Sequence, residues 1–184
     1  MPGRDELTAA VGTTIPDLVA PGLRVLFCGI NPGLVSGATG HHFAGPGNRF
    51  WKVLHASGFT SDLLLPSEQE RLLALGIGIT NLVERATAGA ASLRTQELRE
   101  GAHQLRRKVL DLQPGVVAFL GMQSYRLAFR RPHAQLGLQP ELLGSTSAWL
   151  LPNPSGAQAR YQLPALVSLF ADLRTFSERH APHE

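Results

Sequence analysis

The sequence is poor in the residues that build covalent or metal scaffolds. It holds a single cysteine, Cys28, so an intrachain disulfide and a cysteine-built metal cluster are both excluded. Charged residues make up only 17%, and the formal net charge is +3, which leaves out the dense Lys/Arg tract of a purely electrostatic nucleic-acid binder. No apolar run approaches the ~18 residues that cross a bilayer, and the amino end lacks the charged-then-apolar pattern of a secretory signal. Gly-Lys-Ser/Thr is missing after the first apolar run, which disfavours a phosphate-loop NTPase. These absences predict a soluble, cytoplasmic protein without a membrane partner. What is present is a 184-residue chain at 43% hydrophobic content, enough for one core. Residues 15–184 are expected to form a single domain, with 1–14 loosely ordered.

Two turns stand out. Val25, Leu26, Phe27 and Cys28 form a short apolar run that reads as a strand buried on both faces, and it stops at Gly29-Ile30-Asn31-Pro32-Gly33. Pro32 fixes its own φ and biases Asn31 toward an extended conformation, so the turn is rigid and holds Asn31 at a strand's carboxyl end, where ligands bind in open α/β sheets. A turn of similar make-up, Pro152-Asn153-Pro154-Ser155-Gly156, follows the apolar run 148–151. Between them, Leu34 to Gly47 carries four glycines without helical or alternating period, and reads as a long functional loop. Asn48 is placed to cap a helix bearing Phe50, Trp51 and Leu54. Further strands are predicted at 77–83 and 116–120. Thr95 is expected to cap a long helix whose Leu98, Ala102, Leu105, Val109 and Leu112 recur at helical steps, with Arg106, Arg107 and Lys108 on its solvated side. Residues 136–143 read as irregular, and 163–176 as the last amphipathic helix. Strands alternating with helices predict a three-layer α/β/α sandwich around a mostly parallel sheet of four to five strands.

Taken together, Gly29-Ile-Asn-Pro-Gly33, Gly40-His-His-Phe43, Pro46-Gly-Asn-Arg-Phe-Trp51, Gly78-Ile-Thr-Asn-Leu-Val-Glu-Arg85 and Leu151-Pro-Asn-Pro-Ser-Gly156 resemble the mismatch-specific uracil/thymine DNA glycosylase family in order and register. The resemblance spans roughly residues 23 to 176 and implies a small three-layer α/β/α enzyme. Its implied activity is removal of uracil or thymine mispaired with guanine in double-stranded DNA, by hydrolysis of the N-glycosidic bond without metal or cofactor. A monomer is expected. The other class that these turns fit is a non-catalytic nucleotide- or nucleic-acid-binding module.

Several roles follow from the resemblance. Asn31 would position the attacking water, within a turn whose Gly29, Ile30 and Gly33 face the substrate. Phe43 would stack on the extruded pyrimidine, and His42 beside it would form a polar wall. Asn81 would face the pyrimidine edge, where an amide reads both a carbonyl and a ring N–H. Glu84, the only carboxylate in any motif, is the candidate for orienting Asn31 or acting as a base, against a salt bridge to Arg85. Asn153 stands where superfamily relatives carry a His that stabilises the leaving base, so slower chemistry is expected. Pro154, Ser155, Gly156, Ala157, Gln158 and Arg160 would meet DNA, with Ser155 and Gly156 on phosphates. Ala157 departs from the bulky wedge of the family: either Gln158 supplies the plug, or the wedge is weak and discrimination against paired bases is poorer.

Overall fold

In the computed structural model, which describes residues 1–156 and 160–180, a five-stranded sheet runs β2-β1-β3-β5-β4. Its strands are β1 (Val25–Gly29), β2 (Ile77–Asn81), β3 (Val116–Leu120), β4 (Gly137–Leu138) and β5 (Ser147–Leu151). All neighbours are parallel except the short edge strand β4. The fold is therefore the expected mostly parallel α/β sheet with helices on both faces. β4 lies inside the 136–143 segment predicted to be irregular; two residues are too few to show an alternating pattern.

Alternation along the strands separates two cores. Val25 and Phe27 of β1, Ile77 and Ile79 of β2, and Val116, Ala118 and Leu120 of β3 face α3 (Phe50–Ala56) and α6 (Leu163–Arg179). Leu26, Cys28, Val117 and Phe119 face α4 (Thr95–Leu112) and α5 (Met122–Phe129). The first core centres on Phe27, fully buried, with Phe50 and Phe59 edge-on at 5.3 and 5.5 Å and Phe170 stacked at 5.8 Å.

Three segments differ from expectation. Residues 34–47 are not a continuous loop, because Leu34–Thr39 form α2. Its glycines serve packing and termination: Gly40 ends the helix at φ 76°, and a Cβ on Gly37 would lie 2.8 Å from the Ala86 Cβ and 3.3 Å from the Ala10 carbonyl. Residues 1–14 carry α1 (Arg4–Ala9), followed by buried Ala10, and are tied to the sheet side through Gly12 N–H to the Ala86 carbonyl and Ala86 N–H to the Thr13 carbonyl, at 2.9 and 2.7 Å. Lys108 is not a solvated cation. Its ammonium donates to the Asp17 carboxylate and to the Thr80 hydroxyl, which in turn donates to Asp17, so α4 is pinned to β2. The amino end of α4 is capped by Glu97, whose carboxylate accepts the Arg94 N–H at 2.9 Å, and Thr95 makes no cap bond.

Candidate active site

Parallel pairing puts the carboxyl ends of β1 and β2 side by side, with Gly29 opposite Asn81. The chain leaves β1 for β2 on one side and then returns to β3 on the other, and such a reversal opens a crevice beyond the strand ends. A cavity of about 470 Å³ occupies that place. Gly29, Ile30, Asn31 and Gly33 of the first turn, His42, Phe43, Asn81, and Asn153, Ser155 and Gly156 of the second turn all line it. The second turn meets the segment that leads into α3: a Cβ on Gly156 would lie 2.5 Å from the Gly47 carbonyl oxygen, and the Arg49 N–H donates to the Pro154 carbonyl at 3.0 Å.

Asn31 is held in one orientation. Its Nδ2 donates to the carbonyls of Pro32 and Arg85 at 3.1 and 3.0 Å and to the Thr87 hydroxyl at 2.8 Å. Carbonyls only accept, so the amide cannot be flipped, and Oδ1 is left as an acceptor on the cavity side. Thr87 is the partner that sequence reasoning missed. It lies 56 residues away in the chain, and its hydroxyl passes its own proton to the Gly89 carbonyl at 2.9 Å.

Phe43 forms the floor. It has φ 54°, a left-handed conformation that a bulky residue adopts only under constraint. The constraint is a hydrogen-bonded segment: His42 N–H to Gln69 Oε1 at 2.9 Å, Trp51 Nε1 to the His42 carbonyl at 3.1 Å, and Ala44 N–H to Ser36 Oγ at 3.1 Å. The Phe43 ring stacks on Phe50 at 4.1 Å and covers Gly29, where an added Cβ would lie 3.3 Å from the ring and 2.6 Å from Asn81 Oδ1. Asn81 is buried at the cavity wall, with no side-chain hydrogen bond among the described residues. Its amide is thus available to a ligand.

His42 is buried, and desolvation pushes its pKa below the usual 6.5, so the ring is neutral and Nε2–H donates to the Pro16 carbonyl at 2.9 Å. Below pH 6.5 the unfolded chain takes up a proton that the folded ring resists, so stability is full above that pH and falls as acid is added. Urea unfolding across this range should show the loss, and His42→Gln should flatten it; parallel profiles would place the acid sensitivity elsewhere.

Other candidates fall differently. Glu84 is exposed, does not line the cavity, and makes no salt bridge or hydrogen bond among the described residues. The catalytic assignment is corrected here: the residue adjoins the motif, yet its side chain leaves the sheet on the solvent side. Arg85 pairs instead with Glu97, at 2.6 and 3.1 Å, and the guanidinium holds that carboxyl well below its ordinary range. Glu84→Gln should leave activity and its pH profile unchanged. Pro154 is buried, with its carbonyl taken by Arg49, and is corrected from a DNA contact to an internal anchor. Asn153 Oδ1 accepts the Ser155 N–H at 3.0 Å, shaping the turn and leaving Nδ2 toward the cavity. Arg160 lies with its guanidinium 5.7 Å from the Tyr161 ring centre. Ala157 and Gln158 lie outside the described residues. Leu7 and Ile15, missed in the sequence because they precede every motif, supply apolar wall. Among the described residues no group of three or more His, Cys, Asp or Glu could hold a metal ion.

A pocket of apolar walls and neutral amides at the carboxyl edge of a parallel sheet, flanked by two turns, defines an α/β protein with a ligand-sized site beyond its strand ends. The sequence model of the Uracil DNA glycosylase superfamily matches residues 16–174, and the chain belongs to that superfamily. Its members are DNA glycosylases, hydrolases that act on N-glycosyl bonds in base excision repair.

Proposed function

We propose that this protein is a monofunctional DNA glycosylase, acting as a monomer, that removes uracil mispaired with guanine from double-stranded DNA. Thymine and modified pyrimidines are secondary substrates. The observation that carries the proposal is Asn31: a neutral amide whose two N–H groups are held among three acceptors, with its oxygen left as an acceptor beside a stacking floor. Extrusion of the base costs a few kcal/mol, least for a mispair, which favours the G:U substrate. The flipped pyrimidine stacks on Phe43 and pairs with the Asn81 amide. A water that donates one hydrogen to Asn31 Oδ1 turns a lone pair toward C1′. As the glycosidic bond breaks, an oxocarbenium-like sugar forms and the pyrimidine departs with the electron pair, with Asn153 Nδ2 as the donor that the second turn offers it. The water oxygen then bonds to C1′, its second proton goes to solvent, and the base anion is protonated from solvent. The described lining residues include no carboxylate and no lysine; proton abstraction and a Schiff base are therefore not part of the proposal.

The test is release of free base from duplexes carrying uracil opposite guanine, uracil opposite adenine, and thymine opposite guanine. G:U should be processed fastest. Duplex binding with no base release from any of them would make the protein a nucleic-acid-binding module instead. Phe43→Ala should cost excision about 1–3 kcal/mol, the worth of one stacked base, and should weaken duplex affinity far less. Equal losses would remove Phe43 from the base pocket.

A further inference from the structure

We infer that Arg49 is a positioning residue: its guanidinium staples the base of the second turn and sets that turn's distance from the pyrimidine pocket. Nothing in the site's chemistry requires Arg49, and it does not line the cavity. It stands where α3 begins, between Asn48, which lines the pocket, and Phe50, which lies behind the pocket floor. Asn48 lines the cavity and its Oδ1 accepts the Phe50 N–H at 2.9 Å, and Phe50 backs the Phe43 ring. From this point the guanidinium donates to three main-chain carbonyls: Nε to Pro154 at 3.2 Å, one terminal nitrogen to Ser155 at 3.1 Å, the other to Tyr161 at 2.6 Å. Residues on both sides of 156–160 are thereby brought to one planar group. The Gly47–Gly156 approach, which leaves no room for a Cβ, closes the same joint from the other side.

Two consequences follow from the donor geometry. The Pro154, Ser155 and Tyr161 acceptors are main-chain carbonyls, so these three bonds do not depend on which side chains those residues carry. A guanidinium offers a rigid fork of donors, whereas an ammonium offers one point, so Lys cannot reach all three carbonyls from this position. If the second turn enters the duplex, as the glycosylase reading holds, Arg49 governs the coupling between turn entry and base capture. A misplacement of about 1 Å by a residue remote from the chemistry costs roughly 10²-fold in rate.

The experiment compares the intact protein with Arg49→Lys and Arg49→Gln. Single-turnover base release is measured on a G:U duplex and on the same duplex with uracil opposite an abasic site, where extrusion demands less help. Amide hydrogen exchange is followed at Ser155 and Tyr161, with β3 amides as the internal reference. Faster exchange at those two amides against unchanged β3, together with a loss of about 10²-fold on G:U and a much smaller loss on the abasic-site duplex, is the expected result. Unchanged exchange in both variants overturns the staple whatever the activity does. Equal rate losses on the two duplexes overturn its role in duplex engagement. An intact protein that releases no base refutes the glycosylase reading alone, because the exchange measurement needs no turnover. Arg49→Lys retains the charge and the aliphatic stem, and serves where Arg49→Gln does not fold.

Discussion

Asn31→Ala is expected to reduce base release by roughly 10²–10³-fold, the loss typical of deleting one preorganised polar group from an active site. The fold should survive. The substitution removes the two Nδ2 N–H groups shared among the Pro32, Arg85 and Thr87 acceptors, a full hydrogen bond having a net worth of about 1 kcal/mol, from a turn that main-chain bonds hold independently: Leu82 N–H to the Gly29 carbonyl, Val83 N–H to Ile30 and Thr87 N–H to Pro32, at 2.9, 2.9 and 3.0 Å. Asn31→Asp is the sharper variant. A carboxylate has only acceptor oxygens, and one of them would face the carbonyls that Nδ2 now satisfies. The aspartate should therefore be both less stable and less active than the native protein, although it brings a potential base. Single-turnover base release alongside urea unfolding decides this; an aspartate variant faster than the native chain would refute the passive, water-orienting amide.

Gly101→Ala should be the most damaging single methyl in the protein outside the cavity. On an exposed helix the same change would stabilise by up to about 1 kcal/mol, so the sign is diagnostic. Gly101 is buried on the face of α4 that meets the exit of β2, and a Cβ there would run into the Leu82 carbonyl oxygen. Both partners are backbone, so no side chain can swing aside; either the helix or the 82–87 segment has to shift. We expect a loss of about 3 kcal/mol, the upper end of what overpacking costs. Base release should fall too, because the displaced segment carries the Arg85 carbonyl and Thr87 hydroxyl that lock Asn31. Urea unfolding and base release measured on one preparation test both limbs, with exposed Glu100→Ala as the control. A Gly101→Ala protein of native stability would mean that α4 does not bear on β2 as closely as described.

Much of this architecture could be read from residue patterns, and the omissions have physical causes. Buried strands announce themselves as short apolar runs, so β1, β3 and β5 were legible, and both site turns followed from Pro and Gly at strand ends. α2 was hidden because its glycines look like loop punctuation when seen one at a time. Gly37 is needed only because Thr13, Ala86 and the Ala10 carbonyl press against it, and those contacts are invisible along the chain. Motif adjacency misplaced Glu84, because β2 ends at Asn81 and the chain has turned out to solvent by residue 84. Thr87 and Arg49 went unrecognised for another reason: each acts through partners far off in sequence, Thr87 on Asn31 and Arg49 on Pro154, Ser155 and Tyr161. The Arg106-Arg107-Lys108 run looked uniformly solvated, yet one helical step turns Lys108 inward to Asp17 and Thr80.

The described lining of the cavity offers a ligand aromatic carbon, main-chain groups and neutral amides, with a buried uncharged imidazole and no acid. Inhibitor chemistry follows from that inventory. A cationic ligand would find no carboxylate counter-ion among the described lining residues. Flat, uncharged heterocycles with adjoining donor and acceptor edges, filling the space between Phe43 and Asn81, are the compounds this pocket should retain.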